Sequence, residues 1–161
     1  PRAHQRLFSM SFAESRDLYQ DVILERGRNP RHMHRMDPFD ASAHGDNPMC
    51  GDKIEVRVKF TANGEVQDAA FEARGCAISL ASADLMAEAV RGRNAAQIRQ
   101  LAMSFTNLVK TGATNEDDAA IEKLKPLSGV SEYPSRIKCA TLPWSALISA
   151  LDHGQEVCTH D

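Results

Sequence analysis

Residues 52–76 read DKIEVRVKFTANGEVQDAAFEARGC. Ile54, Val56, Val58 and Phe60 alternate with Lys53, Glu55, Arg57 and Lys59, which is the period-two signature of an antiparallel strand with one buried and one wet face. Asn63-Gly64 marks a turn, and residues 66–73 complete a hairpin whose alternation is weaker. Past Arg74-Gly75-Cys76 the period changes. Ile78, Leu80, Ala81, Leu85, Met86 and Val90 recur at helical spacing and Gly92 closes the run. A hairpin that leads through a cysteine into a helix is the kernel from which the rest is read.

Toward the N-terminus, Ser11 and Glu14 make a capping box for a first helix reaching about Arg26, with Leu18, Val22 and Ile23 on one face. Residues 27–48 carry prolines, glycines and Asx residues and read as a long irregular connection. Toward the C-terminus, Asn94 caps another helix, and residues 106–131 are more polar. Within that stretch NEDDAAIEKLKPL is a short helix with an acidic start, ended by Pro126. A last helix runs to about Leu151, with Pro143 placed in its first turn. One helix, a hairpin sheet and then several helices make the class α+β. Residues 11–152 are expected to form a single domain, with 1–10 an N-terminal extension and 153–161 a C-terminal tail.

The chain has 161 residues, of which 42% are hydrophobic, enough for one compact core. Its 19 basic and 22 acidic residues are interspersed and sum to −3, which argues against a nucleic-acid partner. No apolar run approaches the roughly 20 residues of a membrane span, and the first residues lack the apolar stretch of a secretory signal. No membrane partner and a cytoplasmic location are expected, where cysteines stay reduced and serve metal or thiol chemistry.

Cys76 and Cys139 each stand at the start of an expected helix after an extended approach, where unpaired N–H groups favour a thiolate. Cys50 precedes a strand, and Gly51 permits a turn that brings Asp52 to the same point. Three thiolates and one carboxylate suit a tetrahedral zinc site. The spacings of 26 and 63 residues match no local zinc finger, so buried cysteines acting as small hydrophobes stay a live alternative. A nucleophilic cysteine enzyme is a second alternative, although no Cys-His signature accompanies it. Cys158, in a polar tail, reads as a spare exposed thiol. His32 and His34 would suit a transient metal contact but sit in a polar segment typical of solvated imidazoles.

Together NPMCGD (47–52), GCAISLASADLM (75–86) and SRIKCATLPW (135–144), with NPR at 29–31, resemble the motifs of the iron–sulfur assembly family that contains the IscU, NifU and SufU proteins. The likeness runs from about Ser11 to Leu151. It is closer to the SufU branch: Lys138 stands where IscU-type proteins carry histidine, the Leu-Pro-Pro-Val-Lys segment is replaced by SEYPSRIKC, and the stretch from about Ser104 to Ser131 is long. The resemblance implies an IscU/SufU-like fold, a small antiparallel sheet packed against several helices. It also implies a zinc site of Cys50, Asp52, Cys76 and Cys139, with a transient iron–sulfur cluster as the other possible occupant. The implied partners are a pyridoxal-phosphate-dependent cysteine desulfurase of the SufS type and downstream iron–sulfur scaffold or acceptor proteins. By the same likeness the chain is a sulfurtransferase-like acceptor that stimulates its desulfurase, and the alternative is a cluster scaffold using the same ligands. Cys50 is then the first sulfur acceptor and Cys139 the second choice, while Arg136 assists ligand exchange.

Overall fold

The computed structural model describes residues 12–116, 118–152 and 157–158. In chain order they form α1 (Phe12–Arg28), β1 (Ala41–Asn47), β2 (Asp52–Phe60), β3 (Val66–Arg74), α2 (Ala77–Ala89), α3 (Ala95–Thr111), α4 (Ala119–Leu124), 3₁₀ stretches at Lys125–Glu132 and Pro134–Arg136, α5 (Ile137–Asp152) and the two-residue β4 (Val157–Cys158). The sheet order is β3-β2-β1-β4, antiparallel apart from the short β1–β4 pairing. This is the expected α+β class, a small and mainly antiparallel sheet packed against several helices.

The hairpin obeys its sequence pattern. Ile54, Val56 and Val58 are buried, as are Val66, Ala69 and Phe71 on the neighbouring strand, where Phe71 faces Val56 and Ala69 faces Val58. Positive φ at Gly64 makes the turn (84°), a backbone region that other residues enter only with strain. The helices cover one face of this sheet, α5 lying on β1 and β2 and α2 on β3. Phe105 of α3 stacks on Trp144 of α5 with ring centroids 5.0 Å apart, joining the helical layer around the same core. Asn94 caps α3 with a full capping box shared with Gln97, and Gly112 ends it in a left-handed conformation.

Three expectations are corrected. First, residues 27–48 are not irregular throughout, because they contain β1. That strand buries Ala43, Gly45 and Asn47 in alternation, a period-two pattern written in small and polar residues instead of branched apolar ones. Its reason is close packing: a Cβ on Gly45 would stand 2.9 Å from Leu142 Cδ1 and 3.2 Å from Ile54 Cγ2. Second, α3 continues through Thr111 into the polar stretch, whereas the short helix α4 ends at Leu124 just ahead of Pro126 as expected and is followed by a 3₁₀ stretch. Third, α5 begins at Ile137, so Pro143 lies inside it. The amide that proline lacks would have bonded the Cys139 carbonyl one turn back, and burial of Leu142, Trp144 and Leu147 holds the helix together regardless. The Ser11–Glu14 capping box falls outside the described residues and side chains. The tail also returns to the sheet, since the backbone of Val157–Cys158 pairs with Gly45 and Asp46. No helix among the described residues is long and apolar enough to cross a membrane.

A buried ionic knot fastens α1 and the NPR turn to α2. Arg26 donates to Asp84 Oδ2 at 2.7 Å and to Glu88, while Asp84 Oδ1 accepts the backbone N–H groups of Arg31 and His32, each at 2.8 Å. His32 is therefore half-buried against Glu88, at 3.1 Å, and not a solvated imidazole, whereas His34 is exposed as expected. Burial alone would push the Glu88 carboxyl up, but hydrogen bonds from Arg26 and His32 outweigh it and bring it down to about 2. A carboxyl lowered on folding stabilises the native state above its ordinary pKa and loses that contribution as the folded value is approached. Acid titration is thus expected to cost stability progressively between about pH 5 and pH 2. In Glu88→Gln the denaturation midpoint should vary less with pH across that window, and an identical slope would remove Glu88 from the account.

Candidate metal centre

The four singled-out residues come from four separate places, a turn, a strand and the starts of two helices. Cys50 lies in the turn 48–51, which Gly51 can close because its φ is 72°. Asp52 opens β2, Cys76 is the N-cap of α2, and Cys139 occupies the first turn of α5. The approach to Cys139 is 3₁₀ and not extended. Ligand atoms of Cys50, Asp52 and Cys139 all lie within 4.8 Å of one another. Cys76 stands just outside this tight group and is tied to it through Asp52, whose Oδ1 accepts the Cys76 backbone N–H at 2.9 Å.

Burial grades the four. Cys139 is wholly inaccessible and Asp52 1% exposed, whereas Cys50 and Cys76 are half-buried. The interior sulfur and carboxylate are held in place, and the outer two thiols face an approaching molecule. The neighbouring Cys76 and burial push the Cys139 thiol strongly up, while Cys139 brings Cys76 down to about 6. Arg136, fully exposed, is kept protonated more firmly by its hydrogen bond to Cys139 and by the field of Cys50 and Cys76. Its guanidinium therefore borders the thiol cluster on the solvent side.

Asp52 gives the sharpest test of metal fit. Its Oδ1 accepts the Cys76 N–H at 2.9 Å and the Ser79 hydroxyl at 3.2 Å. Its Oδ2 is buried and meets no hydrogen-bond partner. A buried carboxylate oxygen left bare is costly, and a cation is what satisfies it amid sulfur donors. Tetrahedral zinc with bonds of about 2.0–2.3 Å separates its ligands by under about 4 Å, which the cluster reaches by small side-chain movements. The residues present fit zinc.

Two contributors escaped the sequence reading. Asn47, 1% exposed, points Nδ2 at Cys139 Sγ from 3.9 Å; its position just before the cysteine turn was no signal by itself. Ser79 had one, since Cys-x-x-Ser at a helix start places both residues on one face. Gly75 matters through space. A Cβ there would stand 2.2 Å from Asp52 Oδ1 and 2.9 Å from Ser79 Oγ. Gly75→Ala is therefore expected to displace Asp52 and weaken zinc binding by at least about tenfold, the scale of lost ligand support. Competition with a chromogenic chelator measures it, and wild-type affinity would show that Asp52 is not held by this close approach.

Residues 18–140 match the family described as NifU-like N-terminal domain. The zinc-dependent sulfurtransferase SufU of Bacillus subtilis is 37% identical over 139 residues, covering 86% of this chain and 92% of that protein. The iron–sulfur cluster assembly scaffold protein IscU of Streptococcus pyogenes is 35% identical over 142 residues, covering 88% and 87%. Among solved structures, a scaffold protein for the SUF system from Fervidobacterium islandicum superposes with TM-score 0.75 at 26% identity, over 86% of this chain and 99% of that one. The N-terminal part of a NifU-like protein from Brucella abortus gives 0.74 at 26% identity, over 84% and 92%.

Proposed function

The chain belongs to the family of NifU-like N-terminal domains, and on that premise we propose that it is a zinc-dependent acceptor of persulfide sulfur. The sulfur comes from a pyridoxal-phosphate-dependent cysteine desulfurase of the SufS type and goes on to scaffold or acceptor proteins of iron–sulfur assembly in the cytoplasm. The observation that carries the reading is the bare, buried Oδ2 of Asp52 set among thiols. Cys50, Asp52, Cys76 and Cys139 would hold the metal, which when bound would keep the thiols ionised at neutral pH yet masked until they are needed.

The transfer itself needs one accessible sulfur. Cys50 is half-buried on a turn beside Met49, which is 78% exposed, whereas Cys139 is enclosed. The Cys50 thiolate attacks the outer sulfur of the desulfurase persulfide. The donor S–S bond breaks, the desulfurase cysteine leaves as a thiolate, and a persulfide now sits on Cys50, with no net oxidation. Arg136, exposed beside the cluster, offers positive charge to the incoming persulfide anion. Asp52 is the hard oxygen donor in a soft set and so the ligand most readily exchanged. A second reading, a scaffold on which a cluster is built by the same residues, draws on the likeness to the Streptococcus IscU.

Alanine release from cysteine by such a desulfurase, with and without the zinc-loaded chain, tests the proposal. Saturable acceleration supports it. Unchanged turnover by a competent desulfurase, together with cluster transfer to an apo-acceptor, would favour the scaffold instead.

A further inference from the structure

Ser79 lies one turn after Cys76 on α2 and is 4% exposed. Its hydroxyl has one proton and three groups in reach, Asp52 Oδ1 at 3.2 Å, the Cys76 carbonyl at 3.0 Å and, more distantly, the Cys76 sulfur at 3.9 Å. Hydrogen bonds to an ionised acceptor are the stronger kind, so the carboxylate takes that proton whenever it is charged. The Cys76 N–H reaches the same oxygen at 2.9 Å. Two donors therefore converge on Oδ1 and none on Oδ2, which is buried and bare. The absent Cβ of Gly75 leaves the space in which all three groups meet.

We propose that Ser79 is a positioning residue of the metal centre: together with the Cys76 amide it pins Oδ1 of Asp52, so that Oδ2 alone is presented to the metal. This rests on the zinc reading above. Its chemical consequence is a carboxylate confined to a one-oxygen grip, which keeps the bond to Asp52 exchangeable. When Asp52 is drawn away, the Ser79 hydroxyl turns to the Cys76 carbonyl and is never left buried without an acceptor. Ser79 thus serves both arrangements of the carboxylate.

The test uses the full chain loaded with Zn²⁺ or Co²⁺. Removing a hydrogen-bonding support of a metal ligand lowers affinity about 10–100-fold, and Ser79→Ala should do so in chelator competition. Its cobalt form should also show weaker visible bands as the released carboxylate engages both oxygens and raises the coordination number. Ser79→Thr, which keeps the hydroxyl, should restore affinity and spectrum, while Ser79→Val, whose side chain matches threonine in shape but lacks the hydroxyl, should not. That pair separates the hydroxyl from any effect of volume on folding. Wild-type affinity and spectrum in both Ser79→Ala and Ser79→Val, with Asp52→Ala still impaired, would overturn the inference and leave the metal centre standing. Absence of zinc and cobalt binding by the wild-type chain would overturn the centre itself, and this inference with it.

Discussion

Cys50→Ala is expected to abolish acceleration of the desulfurase, because among the described residues Cys50 is the half-buried thiol of the cluster carried on a turn and not at a helix start. Cys139 is wholly buried, and its thiol is pushed up by its neighbour Cys76 and by burial. Cys76 is half-exposed but bound into its helix start, with its amide committed to Asp52. The fold should survive, since Cys50 sits in a turn and contributes nothing to the hydrophobic core. Circular dichroism with the alanine-release assay separates the two effects. Full stimulation by a folded Cys50→Ala chain would transfer the acceptor role to Cys139 or Cys76.

The second large effect is structural. Asp84→Ala is expected to destabilise the chain by about 3–5 kcal/mol, the cost of breaking a buried ion pair from one side. That is a large share of the roughly 5–15 kcal/mol by which a domain is stable. The Asp84 side chain is fully buried, and its loss leaves the Arg26 guanidinium with Glu88 alone and orphans the amides of Arg31 and His32. Close approach of α1 to α2 depends on the same fastening, since Gly27 lies where a Cβ would meet Ala77 Cβ at 3.0 Å. Ala77 is the residue after Cys76, so loosening α1 also loosens the helix start that carries a thiol of the site. Urea denaturation checks the magnitude, and Asp84→Asn, which keeps one acceptor, should cost less. A shift under about 1 kcal/mol would mean the knot adds little to stability.

Legibility in the sequence followed the kind of signal each segment carries. The β2–β3 hairpin declared itself because Ile54, Val56 and Val58 are large, branched and alternate with charges. β1 was hidden because it lies under α5 at a distance that admits Ala43 and Gly45 but no branched residue, so burial there leaves no hydrophobic trace. Pro143 misled for a related reason: a local rule against proline inside helices yields to the burial of Leu142, Trp144 and Leu147 around it. The three thiols and Asp52 stood out as motifs, and the structure brings Cys50, Asp52 and Cys139 within 4.8 Å of one another, with the Cys76 amide bonded to Asp52. The hydrogen bonds that orient them did not stand out. Asn47 and Ser79 act across elements, and only the packing of β2 against the start of α2 reveals which oxygen of Asp52 is occupied and which is bare.

The central claim is that persulfide sulfur comes to rest on Cys50 of this metal-holding cluster. Its most direct test is to incubate the zinc-loaded chain with a cysteine desulfurase and sulfur-labelled cysteine, trap thiols by alkylation without reductant, and map the label by peptide mass spectrometry. The account predicts one added labelled sulfur on the peptide containing Cys50, absent when the desulfurase is omitted. Label confined to the desulfurase, with Cys50 recovered only as an unmodified thiol, would contradict it.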